Sequence, residues 1–248
     1  MFNGIIPDMD RSSPLSIIPG SPKRVAVMQP YFFPYAGYFR LFGSADEFVI
    51  YDCVQFPRRG RVHRTEVPGP DGSAEWLTLP LAHQARATLI RELEFATGAR
   101  REFDKRLGRL PWLRNPQSES GNRVRELLFG PLDSVIDFLE DSLRLVLQVI
   151  GIEPRITRSS ILDVDPALRG QDRVIAIVKA VGGTEYLNSP GGRGLYSSQE
   201  FAAHGIRLLF LSDYSGPYFH LLHALVSSPA ENLRRNIMRD TNFVDDDA

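Results

Sequence analysis

The sequence predicts an α/β fold: a mostly parallel, Rossmann-like sheet flanked by helices, with a β-hairpin and a helical insertion. Three observations predict it. The runs over 25–28 and 48–51 are continuously apolar, and 206–211 is apolar but for Arg207, as buried strands are. Helical patterns separate the later strands, and strand–helix–strand alternation pairs strands in parallel. After the second run, VHRTEV and WLTL flank a Pro-Gly-Pro-Asp-Gly turn, which predicts a hairpin.

Residues 1–23 mix prolines, serines and acids with short apolar pairs and have no uninterrupted apolar core. They read as a flexible leader and not as a signal peptide. Residues 24–240 read as a single α/β domain. Its first strand ends at Gln29-Pro30, because proline has no N–H for a ladder and biases its predecessor toward extended backbone. A short helix over 37–42 packs through Tyr38, Leu41 and Phe42, and the strand over 48–51 puts Asp52 and Gln55 at or just past its carboxyl end. The hairpin strands cover 62–67 and 76–79, with Arg58, Arg59, Arg61 and Arg64 at the entry. Residues 82–88 form a polar loop, and the weak alternation over 89–95 reads as another strand.

From about 98 to 151 the pattern is helical. Segments over 99–110 and 121–129 precede a longer one over 133–150, whose apolar stripe runs from Val135 to Ile150 and is closed by Gly151. This block is either an all-helical insertion or a set of crossover helices of the same sheet. A strand over 155–162, a helix over 171–181, a strand over 185–187, a helix over 198–204 and a strand over 206–211 follow. Helices over 219–226 and 230–238 finish the domain, and 241–248 reads as a frayed acidic tail.

At 248 residues, 43% hydrophobic and 24% charged, the composition is that of an ordinary globular chain with a sizeable core. A formal net charge of −1 provides no basic field, which argues against nucleic acid as a partner. The single cysteine, Cys53, allows no intrachain disulfide and no cysteine-cluster metal site. No apolar run reaches the roughly 18 residues of a membrane span, so the reading expects a cytoplasmic protein. His220 and His223 lie at i, i+3 without the acid of HExxH, so no metal site is expected.

Two parallel strands joined by a helix bring their carboxyl ends together, where open α/β sheets hold ligands. Residues 29–35 and 52–59 are therefore expected to face each other across a cleft. Gln29 among Tyr31, Phe32, Phe33, Tyr35 and Tyr38 suits a flat ligand stacked on rings, although aromatics in such numbers also serve packing. Asp52 at a strand end suits a general base, and Gln55, Arg58, Arg59 and Arg64 suit a phosphate or carboxylate, or else a surface ion-pair cluster. A third segment, Asn188-Ser189-Pro190-Gly191-Gly192-Arg193-Gly194-Leu195-Tyr196, pairs glycines that admit an anion with an arginine that clamps it. It has neither the Walker A ending nor the GxGxxG spacing.

The blocks MQPYFFPYAGYF, ADEFVIYDCVQFPRRGRVHR, WLTLPL and LNSPGGRGLY occur in an order that resembles the WbqC-like protein family, over about residues 24–229. The resemblance implies functional weight for Gln29, Tyr31, Pro34 and Gly37, for the basic residues Arg58, Arg59 and Arg64, and for Asn188, Gly191, Gly192, Arg193 and Tyr196. His63 stands where the family pattern has Asn, Gly60-Arg61 replaces a small polar residue and a Trp, and His223 takes the place of an Asp. The family resembles enzymes of surface-polysaccharide and natural-product biosynthesis. It implies acyl or aminoacyl transfer, or ligation, from an activated phosphate-bearing donor to a small-molecule acceptor, with Asp52 or His63 as the base. No obligatory cofactor is evident; a nucleotide or acyl-carrier donor fits, as does a carrier-protein partner. The first strand–helix–strand unit also resembles nucleotidylyltransferases but lacks their HxGH loop. The competing reading is a non-catalytic binding module for a nucleotide, nucleotide sugar or carrier protein.

Overall fold

A computed structural model describes residues 21–239 and 241–245. Five parallel strands form the sheet: β1 Arg24–Met28, β2 Glu47–Ile50, β5 Arg155–Arg158, β6 Glu185–Asn188 and β7 Arg207–Leu211. Their spatial order is β5-β2-β1-β6-β7, with a short antiparallel strand β8, Phe243–Asp245, on the β7 edge. Numbered along the chain, the parallel strands lie 3-2-1-4-5, which is the doubly wound order. The chain leaves β1 on one side toward β2 and β5, then returns to lay β6 and β7 on the other. In doubly wound sheets ligands bind at such a reversal, which here falls at the carboxyl ends of β1 and β6.

Both faces of the sheet are covered, as continuously apolar strands require. Val25, Val27, Val49, Tyr186, Leu208 and Phe210 pack under α5, Gly170–Ala180, and α6, Ser198–Ala203. Ala26, Phe48, Ile50, Leu187, Leu209 and Leu211 belong to the larger core on the opposite face. That core also takes in α1, Arg40–Ser44, with the 3-10 turn Ala36–Phe39 before it, and α7, Leu221–Ser227, and α8, Ala230–Met238. The helices α2, Ala99–Gly108, α3, Glu119–Phe129, and α4, Val135–Ile150, share this core through Phe103, Val124 and Leu143, as part of the β2-to-β5 connection. Ser134 accepts from the Asp137 amide to start α4, and Gly151 at φ 65° ends it. Leu143 is fully buried, and Leu143→Ala would cost about 3 kcal/mol.

The hairpin pairs β3, Arg64–Pro68, with β4, Ala74–Thr78, and straps the loop after β1 to itself. The Phe32 amide donates to the Arg61 carbonyl at 3.1 Å, and the Thr65 hydroxyl donates to the Phe33 carbonyl at 2.7 Å.

The structure departs from the sequence reading at four places. Residues 89–95 are not a strand: the Glu92 carboxylate accepts from the Leu89 amide at 2.9 Å and closes the 3-10 turn Ile90–Glu92, leaving only isolated bridges at Leu89 and Phe95. The strand beginning at Arg155 stops at Arg158, because Ser159–Ile161 turns to meet Asp52. Phe243–Asp245 joins the sheet where a frayed tail is expected, and Phe243 lies 4.4 Å under the Arg24 guanidinium. The expected leader falls on residues 1–20, outside the described residues, whereas Lys23 is already anchored on Glu47 at 2.8 Å.

Candidate functional site at the carboxyl edge

The crevice between β1 and β6 is built by two loops. After β1, Pro30 and Pro34 are buried, and Phe33 adopts φ 41°, a left-handed conformation that costs a non-glycine residue energy. The loop leaves Gln29, Tyr31 and Tyr35 half-buried at the edge, and the Tyr38 hydroxyl donates to the Gln29 carbonyl at 2.7 Å. After β6, the buried Asn188 side chain accepts from the Ser189 amide at 2.7 Å. Gly192 packs so closely on it that a Cβ there would stand 2.2 Å from Asn188 Nδ2, so this glycine is a steric requirement. Tyr196 stands edge-on to Tyr186 at 5.6 Å and to Phe201 at 5.8 Å.

These loops approach each other electrostatically. Burial raises the Tyr31 phenol, Arg61 opposes the shift, and Tyr35 and Tyr196 add to it. Tyr51, at the end of β2, is pushed up to about 12 by burial, with Arg173 opposing and Cys53 and Tyr196 adding. Tyr31 and Tyr51 are thus neutral hydroxyl donors at physiological pH. Arg173, from α5, reaches the same edge and donates from Nη2 to Cys53 Sγ at 3.0 Å. The site presents neutral phenols, an amide and guanidinium groups.

Asp52 does not face this crevice. It is 1% exposed, and its carboxylate accepts from the Ser159 hydroxyl (2.8 Å), the Ser160 amide (2.9 Å) and the Ser160 hydroxyl (2.6 Å). Both oxygens are engaged in tying β2 to the end of β5, so the role of general base is withdrawn for Asp52. Where a cleft between 29–35 and 52–59 is expected, the loop after β1 is held by the hairpin entry.

The remaining residues divide. Gln55 donates to the Arg86 carbonyl and Arg58 to the Gln84 carbonyl, so both hold the 82–88 loop. Arg64 donates to the Gly60 and Arg59 carbonyls and lies 4.3 Å over the Trp76 ring; Arg59 is exposed. His63 and Arg58 line a separate cavity of about 460 Å³ with Phe56, Arg106 and Glu102. Burial, with Arg64 and Arg106 nearby, lowers the His63 imidazole from its usual value, and its Nδ1 is buried without a partner. Gly37 admits Tyr214, whose Cβ would stand 2.7 Å from a Cβ at that position. Arg193 is exposed and sits 5.9 Å over the Phe210 ring, and Gly191 faces open space. The amino end of α6 is already capped, since the Ser197 hydroxyl accepts from the Glu200 amide. Tyr51, Arg173 and the Ser159-Ser160 pair were not singled out from sequence. Only Tyr51, directly after a buried strand, carried a local signal.

A model of the WbqC-like protein family matches residues 29–224. The chain belongs to this family. A similar curated protein is "Uncharacterized protein Rv1507c" of Mycobacterium tuberculosis (strain ATCC 25618 / H37Rv), 28% identical over 210 residues, covering 78% of this chain and 84% of that one. No solved structure matches the chain. The matched region contains the loops after β1 and β6, the hairpin and the crossover helices. Among the described residues no helix is long and apolar enough to cross a membrane, and no group of three His, Cys, Asp or Glu side chains is placed to hold a metal ion.

Proposed function

We propose that this WbqC-like chain is a transferase or ligase of the acyl or aminoacyl type. It would bind an activated, phosphate-bearing donor in the crevice between the loops after β1 and β6. The observation that supports this reading is the doubly wound strand order, whose switch point lies at the carboxyl ends of β1 and β6, the strands that lead into the loops of Tyr31 and Tyr196. Tyr31 and Tyr51 would donate neutral hydrogen bonds, and Arg173 and Arg61 would offset the donor's negative charge. Exposed Ile161, Leu195 and Phe219 lie on the loops after β5, β6 and β7, an apolar rim suited to an acyl group or its carrier. Asp52 is engaged and the neutral His63 lines the separate cavity beside the hairpin, so no base is assigned at the crevice itself.

The binding-module reading is favoured by one observation, the complete engagement of Asp52, and turnover separates the two. The test is a thermal-shift panel of nucleotides, nucleotide sugars and acyl-CoA esters, followed by single-turnover assays on the hits. A ligand at a hundredfold excess over its dissociation constant stabilises the fold by about 2.7 kcal/mol. The proposal expects at least one panel member to do this, to lose the effect in Tyr196→Ala, and to be turned over by wild type but not by Arg173→Met. Stabilisation by none of them would remove the proposal. Stabilisation without turnover would replace it by the binding module.

A further inference from the structure

Arg40 opens α1 and is 1% exposed, the largest fully buried side chain among the described residues. Its guanidinium donates from Nη2 to the Ser212 carbonyl at 2.6 Å and from Nη1 to the Ser212 hydroxyl at 3.4 Å, and it lies 5.4 Å from the centre of the Tyr214 ring. Nε has no partner. Among the described residues no carboxylate oxygen lies within 4.0 Å of its nitrogens. This is unusual, because a charge withdrawn from water needs a counter-charge or a full set of hydrogen bonds. The other buried charged side chains obey that rule: Glu47 and Glu185 are ion-paired and Asp52 has three donors.

The guanidinium, without a carboxylate within ion-pair distance among the described residues, borders a cavity of about 280 Å³ at the carboxyl end of β7, walled by Ser215, Gly216 and Asn236. Asp213, the acid on the wall, is exposed and acts on Arg40 from beyond ion-pair distance. The wall is shaped by its own turn. Tyr214 donates to the Pro217 carbonyl, and a Cβ at Gly216 would stand 2.6 Å from the Tyr214 hydroxyl, so only glycine lets that ring fold over the turn. Tyr218 holds φ 75°, a costly conformation for a residue with a side chain, while its carbonyl accepts from the Ala36 amide at 3.2 Å. The volume lies at the lower end of small-molecule sites, too small for a dinucleotide and sufficient for a compact anion.

We propose that this cavity is an oxyanion site in which Arg40 receives the phosphate or carboxylate group of a small molecule. Arg40 supplies the buried charge, and the 213–218 turn forms the mouth. The site is distinct from the crevice between β1 and β6 and does not depend on the donor proposed there.

The experiment is thermal unfolding of the full chain in sodium phosphate or sodium malonate against sodium chloride at matched ionic strength. It is combined with nitrogen-15 NMR of the arginine Nε–H groups. The expected result is a saturable rise in Tm with phosphate, malonate or both, a titrating Arg40 Nε–H signal, loss of the rise in Arg40→Met and its retention in a variant of the exposed Arg101, Arg101→Met. Phosphate alone assigns a phosphoryl ligand, malonate alone a carboxylate, and both assign their shared chemistry. No saturable rise beyond chloride, a static Arg40 signal, or an undiminished rise in Arg40→Met overturns the proposal. The NMR titration uses the wild-type protein and decides the matter even where the variant fails to fold.

Discussion

The two ends of the parallel sheet handle charge in opposite ways. At the amino end, buried Glu47 accepts from Lys23 at 2.8 Å and from the Thr157 hydroxyl at 2.6 Å, with Arg155 at 3.9 Å. Buried Glu185 meets Arg24 at 2.7 Å and Arg207 at 3.7 Å. Each acid is closed by cations from the starts of other strands. At the carboxyl end the corresponding positions hold half-buried phenols, and Arg40 stands without an acid. Charge is satisfied where the sheet begins; where it ends, Arg158 is paired with Asp137 and Glu140 while Arg40 has no acid within ion-pair distance among the described residues. The closed end serves the fold, and the open end is where a ligand completes the set. Asp52 belongs by position to the open end and by bonding to the closed kind.

That contrast can be broken by substitution, in decreasing order of expected effect. Glu47→Ala strands Lys23 and the Thr157 hydroxyl and should cost about 3 kcal/mol in urea unfolding; a cost below about 1 kcal/mol would deny that the amino end is a stability device. Asp52→Ala should cost about 2 kcal/mol, because three donors lose their acceptor. Asp52→Asn, once folded, should keep full ligand affinity and turnover, which an essential base would not. Gly192→Ala should cost about 1–2 kcal/mol, since Asn188 must move to admit the methyl group, and should weaken ligand binding in the same step.

A smaller effect is expected from pH. The folded His63 imidazole lies below its usual 6.5, so the unfolded chain takes up more protons between the two values. The stability this contributes is fully present above 6.5 and is lost as pH falls through the folded value. His223 acts in the same direction, through burial and the nearby His220. Urea midpoints measured from about pH 8 to about pH 5 should fall, and His63→Gln should flatten part of the slope. The smallest expected change is in Arg40→Met without added anion, within about 1 kcal/mol of wild type or on its stabilising side. Replacing an unmatched buried charge by an apolar chain relieves a desolvation cost. A loss as large as that of Glu47→Ala would erase the distinction between the two ends.

Sequence pattern carried much of the architecture because both of its signals are local. Apolar runs marked β1, β2 and β7, and the stripe from Val135 to Ile150 marked α4. β8 escaped because three residues beside an acidic stretch show no period. Residues 89–95 misled because their alternation is overridden by one side-chain bond, from Glu92 to its own turn. In the candidate site the loops after β1 and β6 were legible as loops with glycine, proline and aromatic residues at strand ends. The partners of Asp52 lie more than a hundred residues away, so nothing nearby distinguished an anchor from a base. Arg40 carries no signal within YFRLF beyond its helix, and the turn after β7 folding over it makes it a buried cation.

The central claim is that a ligand occupies the crevice between the loops after β1 and β6. Hydrogen exchange of the wild-type protein with the strongest stabiliser from the panel of nucleotides, nucleotide sugars and acyl-CoA esters tests it most directly. Slowed exchange concentrated in residues 29–36 and 188–197 is the predicted result. Protection confined to the hairpin cavity around 78–84, with those two loops unchanged, would contradict it.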